Sequence, residues 1–196
     1  MNADIKRTAD DSSTAIDRGQ VGVICVIVTE TALFTIFVVA YLFYLGAVQS
    51  GPQPKDVLEC PWWPTICLLS SSVTVTVAER ALARRQFRRF VGWVAATLAL
   101  GGEFIRQTAI EWRRLIVVDH LTIKTNAFGS TFYSLVGLHA SHVIVGLALL
   151  MLVLGVSLRG RSMLDQARRF QFLAWYWHFV DAVWVVVVSV VYVVGR

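Results

Sequence analysis

Apolar positions in this chain fall into five long runs, at about 21–46, 62–78, 90–112, 127–158 and 171–194, separated by short polar stretches. Each run is near or above the ~20 residues that cross a bilayer as a helix. The pattern therefore predicts an all-α protein, an integral membrane bundle of five transmembrane helices forming one domain over 21–196. A polar tail, 1–20, precedes it. That tail contains Asp4, Asp10, Asp11 and Asp17, which fits neither a secretory signal nor an acid-poor transit peptide, so the first run is expected to stay in the mature protein. The second run is the shortest and is rich in Ser and Thr ("LLSSSVTVTVAER"). Such hydroxyls can bond back to helix carbonyls or across to a neighbouring helix. "CPWWP" before it breaks the chain and supplies interfacial anchors. There is no internal repeat, and the loops are too short to hold a soluble domain.

Composition sharpens this picture. With 56% hydrophobic residues and a mean hydropathy of +0.62 over 196 residues, a soluble catalytic domain is excluded. The net charge of +5 does not indicate nucleic acid, because the basic residues fall in short clusters between apolar runs. Those clusters instead report topology. Lys6, Arg7, Arg18, Arg80, Arg84, Arg85, Arg88, Arg89, Arg159, Arg161, Arg168 and Arg169 flank the spans on one side, and only Lys55, Arg113, Arg114, Lys124 and Arg196 flank them on the other. The positive-inside rule then places the N-terminus in the cytoplasm and the C-terminus on the outer side of the membrane. The tryptophans agree: Trp62, Trp63 and Trp112 fall near the outer interface, Trp93, Trp175 and Trp177 near the inner one, and Trp184 is deep. Cys25, Cys60 and Cys67 lack the spacing of a zinc site or a disulfide framework and read as small buried hydrophobes.

The candidate chemistry lies in ionisable residues inside the runs, since a charge near the bilayer centre costs ~2.5–3.5 kcal/mol even on an insertion scale. Glu30 lies in the first run, His139 and His142 in the fourth, and His178 and Asp181 in the fifth. Glu30, His142, His178 and Asp181 are expected at comparable depths in the inner half. Glu103, Arg106 and Glu111 belong to the outer half of the third run, where Arg106 can pair with Glu103 at i+3 or snorkel. His139/His142 and His178/Asp181 are each three apart, so each pair shares a helix face. A metal site or a bis-histidine haem site is one reading of these pairs. Interhelical hydrogen bonding is the other.

Two motifs carry a resemblance. "TFYSLVGLHASHVIVG" (131–146) and "WYWHFVDAVW" (175–184) resemble the last two helices of subunit III of the haem-copper terminal oxidases. Phe132, Gly137, His139, His142 and Val143 match the first pattern, with Ala140 where the family usually has Gly. Trp177, His178, Phe179, Asp181, Val183 and Trp184 match the second. "VTETALFTIFVVAYLF" places Glu30 on the family's single buried carboxylate, and "FIRQTAIEWRRLI" places Glu111 and Trp112 on its Glu-aromatic pair. Many members have Gln or Glu three residues before that Glu; this chain has Thr108. Many also have seven helices, so five resembles the short bacterial form.

The resemblance implies a non-catalytic subunit of a proton-translocating oxygen reductase of the aerobic respiratory chain. Subunits I and II would be its partners, in the lipid bilayer, with a larger respiratory supercomplex as a further assembly. No haem, copper or other metal is implied in this chain; haem and copper are expected in the partners, with phospholipid as a candidate ligand. Glu30, Glu111, His139, His142, His178 and Asp181 are then expected to make buried interhelical contacts or to handle protons. Alternatives are a quinol oxidase subunit III, the related membrane protein that accompanies nitric oxide reductases, and a small transporter. The last would show broken helices and an inverted repeat, and neither is visible in this sequence.

Overall fold

Hydrocarbon offers the backbone no hydrogen-bonding partner, so each apolar run must satisfy its own N–H and C=O groups, and it does so as a helix. The computed structural model describes residues 18–45, 58–159 and 163–195. They form five helices: α1 (Arg18–Leu45), α2 (Trp62–Ala83), α3 (Phe87–Val117), α4 (Ala127–Leu158) and α5 (Met163–Val188), which continues as a π-helical turn, Ser189–Val194. Residues 1–17 of the polar tail, and Lys6, Arg7, Lys55, Arg161 and Arg196 among the topology signals, lie outside the described residues. The apolar runs locate every helix. α2, α3 and α5 extend beyond them, because intrahelical hydrogen bonds continue through polar flanks that a hydropathy reading trims.

Four helices, α1, α2, α4 and α5, are long and apolar enough to cross a membrane. α3 is the exception: its 31 residues are interrupted by Glu103, Arg106, Gln107 and Glu111. One face of α3 is nonetheless apolar and buried, through Phe90, Val94, Thr97, Gly101, Phe104 and Thr108.

Short connections make sequence neighbours antiparallel. Residues 84–86 turn α2 into α3, with Arg85 in the left-handed region at φ 57°. Before α4, the Asn126 side chain accepts from the Gly129 N–H at 2.8 Å, capping an otherwise unpaired donor. α2, α3, α4 and α5 close into a ring, each packed on the next, and α1 lies outside it against α4 and α5. Only 6% of α1's most apolar stretch is buried; Phe34 and Tyr41 are its inward anchors.

Trp177 fills the centre of the ring. It is fully buried and donates from Nε1 to Ser71 Oγ on α2 at 2.8 Å. Its ring edge lies against Gly101 of α3 and Gly146 of α4, where an added Cβ would stand 3.1 Å and 2.8 Å from indole carbons. One side chain thus touches three neighbouring helices, and two glycines let them approach. Gly146→Leu should destabilise the bundle by about 1–3 kcal/mol, the usual cost of overpacking a rigid core. Gly155→Leu on the same helix, where a Cβ meets nothing within 4 Å, should be neutral. Thermal unfolding in mild detergent compares the two.

Candidate functional site: buried polar contacts between helices

Three polar clusters link the helices. In the first, the α2 segment from Thr65 to Thr76 presents hydroxyls to α5. Ser72 Oγ lies 3.0 Å from His178 Nδ1 and also donates to Asp181 Oδ2. Thr76 Oγ1 is 3.3 Å from His178 Nε2, and Thr65 Oγ1 accepts from Trp184 Nε1 at 3.1 Å. His178 and Asp181, one turn apart, therefore share one serine. Behind them Thr74 Oγ1 meets Thr97 Oγ1 of α3 at 2.7 Å. Asp181 is buried, and its second oxygen, Oδ1, has no partner among the described residues.

In the second cluster, Glu30 of α1 reaches His142 of α4, with Oε2 3.0 Å from Nε2. His142 Nδ1 lies 2.8 Å from the Leu138 carbonyl. A carbonyl can only accept, so this ring nitrogen carries a hydrogen. The Nε2···Oε2 contact must then hold one further proton, either on the carboxyl donating to nitrogen or on an imidazolium donating to carboxylate. Glu30 and His142 form a unit with one shared exchangeable proton. Tyr176 of α5 donates to the His142 carbonyl at 3.1 Å, and Phe34 packs on the imidazole with ring centroids 5.1 Å apart.

The third cluster lies at the far end. Tyr192, in the π-helical turn, donates to Glu111 Oε1 at 3.0 Å. Tyr41 of α1 donates to the Val191 carbonyl at 3.4 Å, at a helix end where carbonyls lack intrahelical donors. Glu111 also lines an open pocket of about 230 Å³ with Gln107, Arg114 and Glu59. Beside it Arg114 pairs with Glu59 at 2.8 Å.

The structure brings Glu30 to His142, His178 to Asp181 through Ser72, and Glu111 to Tyr192. It gives His139 and His142 no common hydrogen-bond partner among the described residues, although the Phe34 ring lies near both, with centroids 6.4 Å and 5.1 Å away. His139 is fully buried, stacked on Trp184 with centroids 4.9 Å apart and edge-on to Phe104 at 5.7 Å. Neither of its ring nitrogens has a hydrogen-bond partner among the described residues. No three His, Cys, Asp or Glu side chains converge as metal ligands among the described residues. His142 and His178 each spend both ring nitrogens on hydrogen bonds. Glu103 and Arg106 do pair, through two hydrogen bonds of 2.7 Å. The hydroxyl partners Ser71, Ser72, Thr65 and Thr76 were not individually legible in the sequence. The Ser/Thr density of the second run was the signal for them.

The known proteins agree with these motifs. A family profile described as Cytochrome c oxidase subunit III matches residues 4–196. Cytochrome c oxidase subunit 3 of Alkalihalophilus pseudofirmus is 35% identical over 168 residues, covering 85% of this chain and 82% of that protein. Cytochrome bo(3) ubiquinol oxidase subunit 3 of Pseudomonas aeruginosa is 34% identical over 172 residues, covering 86% and 81%. Cytochrome c oxidase subunit 3 of Sus scrofa is 32% identical over 174 residues, covering 83% of this chain but 64% of its own. Paired polar residues on five helices and a match across nearly the whole chain lead to one assignment: the chain belongs to the cytochrome c oxidase subunit III family of haem-copper oxidases.

Proposed function

We propose that the chain is the non-catalytic third subunit of a proton-translocating cytochrome c oxidase in a bacterial cytoplasmic membrane. It would stabilise the catalytic subunit and help sustain proton uptake through many turnovers. Haem and copper reside in subunits I and II in this reading, and this chain contributes no redox ligand. All five helices span the bilayer within a single domain, α3 included: its 31 residues cover about 46 Å at 1.5 Å per residue. It also packs extensively along α2. The N-terminus is cytoplasmic and the C-terminus periplasmic. A quinol oxidase subunit III is the second reading, favoured by the Pseudomonas aeruginosa relative; electron donor choice belongs to another subunit.

The Glu30–His142 pair is the observation that carries the proton-handling part. It joins the most exposed helix to the ring, Glu30 retains 26% side-chain exposure, and the pair shares one proton. A group so placed can take up or release that proton from a neighbouring subunit without breaking the fold. The contacts of His178, Asp181 and Glu111 suit them to locking helices together. His139, caged by Phe104 and Trp184, fits a packing role.

Three measurements test the proposal. The tagged full chain, purified from its native membrane in mild detergent, should bring with it a larger haem-containing subunit and oxygen-reducing activity. Recovery without haem would refute the assignment to an oxidase. For topology, Lys124→Cys and Arg84→Cys are made separately in a chain whose three native cysteines are replaced by alanine. An impermeant thiol reagent added to intact cells should label position 124 and leave 84 unlabelled, and the reverse pattern sinks the stated orientation.

Glu30→Gln keeps a donor for His142 Nε2 but removes the carboxyl proton. The complex should assemble with normal haem content and near-normal initial oxygen consumption, and should lose activity sooner over repeated turnover in vesicles. Glu30→Leu leaves the imidazole nitrogen unpaired, an expected cost of about 1–3 kcal/mol, read as earlier release of the subunit in detergent. If Glu30→Gln lasts as long as wild type, the pair only ties helices together. Immediate loss of oxygen reduction in the assembled variant would place Glu30 on the catalytic path.

A further inference from the structure

Glu111 sits near the outer end of α3, about 4.5 Å along the helix axis from Arg114. Its two carboxyl oxygens have different surroundings. Oε1 accepts from the Tyr192 hydroxyl at 3.0 Å. Oε2 makes no hydrogen bond among the described residues, yet it is not sealed from the surface. The open space beside it is the pocket of about 230 Å³ between the start of α2 and the end of α3, which Glu111 lines. Liquid water occupies about 30 Å³ per molecule, so this pocket has room for several.

Toward the membrane interior the same site is closed. Tyr192 and Tyr41 are buried, and Phe132 packs on Tyr192 with ring centroids 6.5 Å apart. Tyr41 commits its hydroxyl hydrogen to the Val191 carbonyl, so among the described residues no chain of donors leads on from Tyr192 to the inner half. The charged and titratable groups around Glu111 are Arg114 on α3, Glu59 and Cys60 before α2, Tyr133 on α4, Tyr192 in the π-helical turn and, behind it, Tyr41 on α1. Arg114 is the cation among them, but it meets Glu59 at 2.8 Å and faces Asp119 at 4.0 Å. Glu111 itself forms no ion pair among the described residues.

We infer that Glu111 is a proton-exchange site that opens to the outer aqueous phase through this pocket. A hydronium ion in the pocket gives its proton to the Oε2 of the carboxylate and leaves as water; release is the reverse, and no electrons move. Oε1 keeps its bond from Tyr192 in both states, because a protonated carboxyl still offers its carbonyl oxygen as an acceptor. Loading and unloading the proton therefore break no contact between helices. The inference rests on the stated orientation of the chain and deepens the proton-handling reading. Glu30–His142 shares a proton in one half of the bundle, and Glu111 gives the chain a second, separately addressed site on the side where a proton-translocating oxidase releases protons.

The test uses spheroplasts that make the complete complex. A quaternary-ammonium carbodiimide, which does not cross the membrane, is added outside with an amine nucleophile. Carbodiimides attack the protonated carboxyl, and peptide mass spectrometry reads Glu59 and Glu111 separately. The exposed Glu59, with 72% of its side chain accessible, is the internal control. Both carboxyls should be labelled from outside. Raising the inner pH with a permeant weak base, at fixed outer pH, should leave the labelling of Glu111 unchanged. Ile110→Trp places an indole on the pocket wall at a position that is 49% exposed, so the fold has room for it. It should slow the labelling of Glu111 relative to Glu59 by about tenfold. Labelled Glu59 beside unlabelled Glu111 overturns the inference, and so does labelling of Glu111 that follows the inner pH or runs as fast in Ile110→Trp as in wild type. If both carboxyls react only in inverted vesicles, the stated orientation is wrong and outward exchange falls with it. Haem recovered with the tagged chain from the same membranes checks the oxidase reading independently.

Discussion

A hydrogen-bond donor inside a bilayer has no water to fall back on, and the arrangement of this bundle follows from that constraint. α5 brings two indole N–H groups, an imidazole and a carboxyl into the membrane interior, and the hydroxyl row of α2 meets them. Thr65 pairs with Trp184, Ser71 with Trp177, Ser72 with Asp181 and His178, and Thr76 with His178. From Thr65–Trp184 at one end, through Ser72–Asp181, to Thr76–His178 at the other, the partners run in opposite directions along the two helices, and Ser71–Trp177 joins them from the adjacent face, so this ladder fixes their antiparallel register. Shifting α5 by one turn would leave several buried donors unpaired at once, at about 1–3 kcal/mol each.

Packing reinforces the same register. Trp177 carries its donor to α2 while its ring edge occupies the space left by Gly101 and Gly146. Sliding α3 or α4 would drive a bulkier residue into the indole. Polar and steric specificity thus act through one residue. His139 and Trp184 continue the aromatic column beyond it, stacked with Phe104 edge-on to both.

α1 stands apart from this interlocked ring. Phe34, Tyr41 and the Glu30–His142 bridge hold it, and most of its surface faces outward. The Glu30–His142 pair is thereby placed at the periphery of the bundle. α3 is peripheral in a different sense. Its inner face belongs to the core, and its outer face carries a bidentate ion pair among small residues.

The sequence by itself determined the five helices of the described residues and roughly where each lies. In hydrocarbon a helix satisfies its backbone from its own residues, so length and hydropathy are sufficient information. It also singled out Glu30, Glu111, His139, His142, His178 and Asp181, because a polar residue in an apolar run stands out locally. Only the tertiary structure decided what each one meets. His139 and His142 sit on one helix face, yet one lies caged among aromatic rings and the other bonds to Glu30. Which way a side chain points depends on the rotation of its helix against neighbours more than 100 residues away in the chain, and no local spacing encodes that rotation. The Ser/Thr row likewise read as tolerated polarity until α5 was set against it.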